Sequence, residues 1–244
     1  MKKILASLFI TILLVYSRVG VTQWWSSNID LNVNKDISTF VAETKELRPQ
    51  VLQLAFKAYN CALRKGIKDD KQILTIIDYS LPSSVKRLWV LDLKNKAVLF
   101  NTLVAHGIMT GNKGGKAIHF SDQPHSLESS IGLFVTEGTY RGHDGYSLKI
   151  RGLEKGFNDK AEQRHIIIHG AWYVSKNIIK RYGRIGRSWG CPALDEQVAK
   201  PIIDTIKDNT ILFAYFPNPK WLAKSTFLHC PNLKSDRGNN KVQR

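Results

Sequence analysis

The chain contains little cysteine and few acidic residues, and both shortages restrict what it does. Only 3 cysteines occur among 244 residues, and an odd number in a secreted chain supports one reactive thiol. No cysteine lies near the N-terminus, which excludes a lipid-modified cysteine there. The 20 acidic residues stand against 36 basic ones, a formal net charge of +16. This charge favours a polyanionic neighbour, such as a membrane surface, an anionic wall polymer or nucleic acid.

Three familiar signatures of function are missing. The basic residues are scattered and follow no nucleic-acid-binding motif, so we expect no nucleic-acid partner. The glycine-rich segment 111–115 lacks the Gly-Lys-Ser/Thr ending of a phosphate-binding loop and is interpreted as a mobile loop beside a groove. No carboxylate stands in a HExxH-type arrangement, although His165, His169 and Cys191 are residue types that bind zinc. We expect neither a metal nor another cofactor.

A long apolar run is also missing, and the short one at the N-terminus indicates export. Lys2 and Lys3 precede 13 uncharged residues, Ile4–Tyr16, a run too short to span a bilayer comfortably. Residues 1–20 are therefore interpreted as a signal peptide or an uncleaved membrane anchor, followed by a linker over residues 21–36. Both readings predict a periplasmic or cell-envelope location.

The hydrophobic pattern predicts a helical extension followed by a mainly β domain. Residues 37–80 carry apolar residues at helical spacing after Pro49 and end a run at Gly66, with a second short helix expected near Gln72–Ile77. Closely spaced strands with a few short helices over residues 81–217 favour a β-sandwich or partly closed barrel. The basic residues 218–244 are interpreted as a flexible tail.

One short segment carries the strongest chemical signal. Cys191 lies between Gly190 and Pro192, where backbone can approach closely and the cysteine is held extended. Upstream, an apolar run ends in His169, a residue able to activate a thiol. The residues alone allow two readings: Cys191 is a catalytic nucleophile or a small buried hydrophobe.

Several stretches in the same order resemble the murein L,D-transpeptidase catalytic domain family. The similarity covers roughly residues 40–217 and rests on the following segments: Arg87–Leu93, Phe100–Gly107, Ser129–Gly132, Gly152–Glu154, Gly156–Asn158, His169-Gly170 and Gly186–Leu194. The resemblance implies a transpeptidase-like β fold and a cysteine acyltransferase. The chain departs from the broader pattern after the nucleophile, where an arginine is common at the second position and Ala193 stands here.

The resemblance also assigns roles to individual residues. Cys191 is implied as the nucleophile, His169 as the base, and the Gly170 carbonyl as the group that orients the imidazole. Backbone amides at Gly190 and Cys191 are candidates for an oxyanion hole. We assign five further residues to substrate binding: Arg187, Ser188, Trp189, Tyr140 and His165. Arg187 is the candidate anchor for a peptide carboxylate because its planar fork forms two hydrogen bonds.

The predicted function is peptidoglycan L,D-transpeptidation through a thioester on Cys191, with stem peptides as partners. Two alternatives remain open, namely an L,D-carboxypeptidase that uses water as acceptor and a non-catalytic wall-binding module. The other two cysteines, Cys61 and Cys230, either pair in an oxidising compartment or remain free thiols.

Overall fold

The computed structural model of the protein describes residues 39–44 and 46–230. The predicted signal or anchor (1–20), the linker (21–36) and the end of the predicted tail (231–244) lie outside the described residues. Within the described part of the chain, no helix has the length and apolar character needed to cross a membrane.

Eight strands form one sheet that nearly closes on itself. In chain order they are β1 (Ile73–Asp78), β2 (Leu88–Asp92), β3 (Ala97–Thr102), β4 (Gly132–Gly142), β5 (Gly145–Gly152), β6 (Ile167–Gly170), β7 (Ala193–Leu194) and β8 (Ile211–Tyr215). Their order across the sheet is β3-β2-β1-β8-β4-β5-β6-β7. Just beyond β3, Val104 forms a bridge with Leu194 of β7, which brings the two edges together. The predicted barrel-like, mainly β fold is confirmed.

Four helices surround the sheet: α1 (Pro49–Arg64), α2 (Lys176–Tyr182), α3 (Glu196–Ile206) and α4 (Pro219–Lys224). Residues 39–43 are also helical. Helix α1 begins with Pro49 at its first turn, where a missing N–H costs nothing. Helix α2 is capped at its N-terminus by Ser175, whose side chain accepts a hydrogen bond from the Ile178 amide. At its C-terminus it is capped by Gly183, which has the left-handed conformation. These start and stop residues position the helices that the apolar spacing predicts.

The core lies on both faces of the sheet. One cluster joins the buried face of α1 to the sheet and includes Phe56, Trp89 and Phe213. A second cluster fills the inside of the curved sheet under α3 and includes Leu148, Ile168 and Ile203. The predicted helical extension therefore packs on the outside of the sheet and leaves its other face to the β domain's own core.

Two local predictions are wrong. The segment near Gln72–Ile77 is not a helix but β1, which pairs with β2 and lies parallel to β8, so the sheet begins inside the predicted extension. All six residues of β1 are buried, and a fully buried strand lacks the alternation that distinguishes strand from helix. The predicted flexible tail is folded at least to residue 230, because α4 buries Trp221 and Cys230 forms a disulfide with Cys61.

Candidate active site

A tight turn before β7 holds Cys191. The Ser188 hydroxyl accepts a hydrogen bond from the Gly190 amide at 3.1 Å and donates one to the Cys191 carbonyl at 2.6 Å. Gly190 has φ +127°, and a Cβ there would lie 2.7 Å from the Glu128 carbonyl oxygen. Only glycine fits this conformation and this close approach, which explains why glycine precedes the cysteine.

The wall behind this turn comes from segments that are distant in sequence. Ser129 Oγ donates to the Gly190 carbonyl at 2.9 Å and accepts from the Gly107 amide at 3.0 Å. The Ser188 amide donates to the His106 carbonyl at 3.0 Å. Three of the stretches that carry the family resemblance thus meet at the cysteine, and their serines and glycines fix its backbone.

Cys191 is the one unpaired cysteine in the described part of the chain, and it is partly buried. Its Sγ lies 3.7 Å from the His165 carbonyl oxygen. Burial raises the pKa of this thiol to about 11; a hydrogen bond from the Ile167 amide and the charge of Arg164 lower the pKa, and Asp144 raises it. The thiol is therefore protonated at neutral pH, and its use as a nucleophile requires a base.

His169 lies on the strand next to the cysteine segment. In β6 it pairs with Ala193 of β7, two residues beyond Cys191, and its side chain is buried. Its Nδ1 lies 3.0 Å from the Gly170 carbonyl oxygen. Since a carbonyl only accepts, Nδ1 carries the proton of the neutral ring, and Nε2 keeps the lone pair that a base needs.

One of the two backbone amides proposed for the oxyanion hole already has a hydrogen-bond acceptor. The Gly190 amide already donates to Ser188 Oγ, so binding an oxyanion through this amide requires that bond to be exchanged. The role of the Gly190 and Cys191 amides stays a prediction.

The predicted substrate-binding residues lie in different settings. Arg187 is partly buried, and its Nη1 donates to the carbonyls of Ile108 and Gly111 at 3.2 and 3.1 Å, which joins the turn to the neighbouring loop. Trp189 is 77% exposed beside the cysteine. Tyr140 is exposed on β4, and its pKa is raised by partial burial and by the nearby Asp144 and Cys191. Ser188 is buried and engaged in the turn itself.

His165 does not lie on the strand that carries His169. It stands in the turn before β6 with φ +54° and an exposed side chain, and its carbonyl oxygen, not its ring, contacts the thiol. In residues 39–44 and 46–230 no group of three or more His, Cys, Asp or Glu side chains is arranged to hold a metal ion.

Two charged groups near the turn were not found from the sequence. Arg164 contacts the wall behind Gly190, and Arg87 is completely buried beside His106, with its Nη2 2.8 Å from His106 Nδ1. Burial and the adjacent Arg87 lower the pKa of His106 to about 3, so this ring is neutral. Arg87 is the first residue of one of the family-like stretches but was given no role there, and Arg164 is one of 36 basic residues without a local signal of its own.

Solved structures of low similarity include L,D-transpeptidases. An L,D-transpeptidase from Mycobacterium smegmatis is 12% identical over 59% of this chain and 59% of that chain, with a TM-score of 0.37. L,D-transpeptidase 1 from Mycobacterium tuberculosis is 13% identical over 59% of this chain and 62% of that chain, with a TM-score of 0.32. One from Stackebrandtia nassauensis is 14% identical over 75% of this chain and 77% of that chain, with a TM-score of 0.36.

These likenesses are too distant to carry an argument, and the match spans about three fifths of the length of the two mycobacterial chains. No curated protein matches the chain. The family model of the L,D-transpeptidase catalytic domain matches residues 43–215, well over half of the sequence. The matched range includes all eight strands of the sheet. On this match, the chain belongs to the L,D-transpeptidase catalytic domain family.

Proposed function

We propose that the protein is a peptidoglycan L,D-transpeptidase that works through a thioester on Cys191, with His169 as base. The observation that supports this proposal most is the unpaired cysteine in a turn fixed by Ser188 and Ser129, on the strand segment next to His169. Three of the family stretches build this one turn, and the exposed Trp189 lies beside it.

The proposed reaction has two steps. In the first, His169 takes the thiol proton and Sγ bonds to the carbonyl carbon of the third residue of a donor stem peptide. The bond to the following D-amino acid breaks, and the departing amine receives the proton from His169. In the second step, an amine of a neighbouring stem gives its proton to His169 and attacks the thioester carbonyl. The C–S bond breaks, and the sulfur takes the proton back from His169.

The donor stem requires recognition of its carboxylates. Arg187 is proposed for this role, since its guanidinium lies at the edge of the turn and keeps donors beyond the two that its Nη1 uses. Trp189, two residues before the cysteine, and Tyr140 on β4 offer exposed rings. The Ser188 hydroxyl and the His165 carbonyl act on the cysteine itself, so their contribution to substrate binding is indirect.

The proposal includes export to the periplasm or cell envelope. The disulfide between Cys61 and Cys230 supports it, because such bonds persist in oxidising compartments. The positive leader and the apolar run of residues 4–16 support it independently. An export reporter fused after residue 40 is expected to be active outside the cytoplasm, and a fusion that stays in the cytoplasm would remove this part of the proposal.

The decisive experiment supplies tetrapeptide muropeptides and analyses the products by mass. Cross-linked dimers that have lost one terminal D-amino acid are expected from the transpeptidase, whereas tripeptides alone would indicate the carboxypeptidase. Binding without product would indicate a wall-binding module. Cys191→Ala and His169→Ala should each lose nearly all turnover, and their losses should not add in the double variant. His229→Ala, which changes an exposed histidine near the end of the described chain, is the control.

A further inference from the structure

The guanidinium of Arg164 is held entirely by neutral oxygens. Its Nη1 donates to the Ser121 carbonyl and to Ser130 Oγ, both at 2.7 Å. Its Nη2 donates to Ser126 Oγ at 3.1 Å and to the Glu128 carbonyl. Four hydrogen bonds to one loop, 121–130, fix the position of this side chain, and none of them neutralises its charge.

The same guanidinium touches the turn that carries the nucleophile. A Cβ placed on Gly190 would lie 3.4 Å from Arg164 Nη2 and 2.7 Å from the Glu128 carbonyl oxygen that Nη2 binds. The next residue along the chain, His165, places its carbonyl oxygen 3.7 Å from the sulfur of Cys191. Arg164 is therefore linked to the thiol in two ways: its guanidinium lies behind Gly190, and the residue that follows it, His165, contacts the sulfur through its carbonyl oxygen.

The charge of Arg164 is offset only in part and without direct contact, by the nearby carboxyls of Asp122 and Glu128. Among the residues that the structure describes, no carboxylate forms a salt bridge with it. It is half-buried, so solvent and salt weaken its field less than that of a surface arginine. Its charge lowers the pKa of Cys191, against a larger increase from burial, and Arg187 does not contribute to that pKa.

We propose that Arg164 is a positioning residue that holds the loop behind the nucleophile turn and supplies the positive field that favours the thiolate of Cys191. This inference rests on the proposed function for its biological meaning, but its chemistry concerns the thiol alone. Its failure and that of the proposed function are therefore distinguishable, because alkylation of Cys191 needs no peptidoglycan.

The test measures the rate at which iodoacetamide, a neutral reagent, alkylates Cys191 at several pH values, with the disulfide intact. Arg164→Gln removes the charge, Arg164→Lys keeps it, and Arg64→Gln removes an exposed charge at the end of α1 as a control. We expect Arg164→Gln to react about three- to tenfold more slowly at pH 8, which corresponds to an apparent pKa about half a unit to one unit higher. Arg164→Lys should react within about twofold of the unmodified protein. Its melting temperature should fall, because lysine cannot form all the hydrogen bonds that the guanidinium makes to loop 121–130.

The comparison controls for the other groups that face the thiol. These are His169 on β6, Asp144 between β4 and β5, Tyr140 on β4, Tyr79 after β1 and Tyr173 after β6, and all of them are retained in each variant. Equal rates for Arg164→Gln and the unmodified protein would overturn the proposal, as would equal slowing by Gln and Lys. If Arg164→Gln does not fold, Arg164→Lys decides: unchanged reactivity supports the field, and reduced reactivity contradicts it.

Discussion

At the scale of single residues, the cysteine and the histidine depend on backbone groups more than on other side chains. The Gly170 carbonyl fixes the tautomer of His169, and the Ile167 amide donates to the sulfur of Cys191. Burial still raises the pKa of the thiol to about 11, so the thiolate is scarce at neutral pH. The proposed reaction therefore depends on proton transfer to the imidazole and not on a thiol that is already ionised.

This dependence predicts how pH affects the His169→Ala variant. Without a base, its residual rate follows the thiolate fraction, which rises about tenfold per pH unit below the pKa of the thiol. The unmodified enzyme should change far less between pH 7 and pH 9, because His169 takes the thiol proton during the attack and the rate does not depend on free thiolate. The initial rate of the unmodified enzyme divided by that of His169→Ala, both measured with muropeptide donors, should thus fall by up to about a hundredfold from pH 7 to pH 9.

His229→Ala provides the control, since it changes a histidine that contacts the Leu222 carbonyl far along the chain from the site. A ratio that stays constant from pH 7 to pH 9 would contradict the assignment of His169 as the base. Equal rates for His169→Ala and the unmodified enzyme at pH 7 would contradict it as well.

At the scale of elements, the short helix α4 closes one side of the fold. Trp221 is fully buried, lies 5.7 Å from the Phe213 ring between centroids, and donates through Nε1 to Glu154 Oε2 at 3.1 Å. The other oxygen of Glu154 accepts from the Leu133 amide in β4. This buried carboxyl therefore links helix α4 to strand β4.

Replacing Trp221 should destabilise the protein strongly. Trp221→Ala removes a large buried ring and is expected to lower the free energy of unfolding by about 3–5 kcal/mol, and it leaves Glu154 without one of its donors. Lys220→Ala, at an exposed position of the same helix, should change little. Urea denaturation followed by circular dichroism of the backbone measures the free energy of unfolding of both variants. A loss below about 1 kcal/mol for Trp221→Ala would show that α4 is not part of the core.

Elements with a clear period could be predicted from the sequence, and those without one could not. Helix α1 follows helical spacing after Pro49, and its end before Gly66 agrees with the prediction. β1 is buried along its whole length, and α4 has only six residues within a polar, basic stretch, so neither has a diagnostic period. Cys191 and His169 were predicted as site residues from chemistry and motif and stay a prediction, whereas the role proposed for Arg164 depends on contacts with residues 121–130 that no local pattern reveals.

At the scale of the whole molecule, the sheet order brings distant segments together around Cys191, and a disulfide joins α1 to the last described residue. Cys61 in α1 is joined to Cys230 across a sequence separation of 169 residues, so both ends of the described fold are fixed on the outer side of the sheet. That pairing removes two of the three cysteines from reaction chemistry. What remains is a single thiol on a strongly basic protein, which suits an acyl donor that carries carboxylates.

Whether the thiol of Cys191 carries the acyl group can be measured by intact-protein mass spectrometry during turnover of a tetrapeptide muropeptide. We expect a transient adduct equal in mass to the donor without its terminal D-amino acid, located on Cys191 by peptide mapping and sensitive to hydroxylamine as a thioester should be. Product formation while Cys191 stays unmodified, or continued turnover by Cys191→Ala, would contradict it.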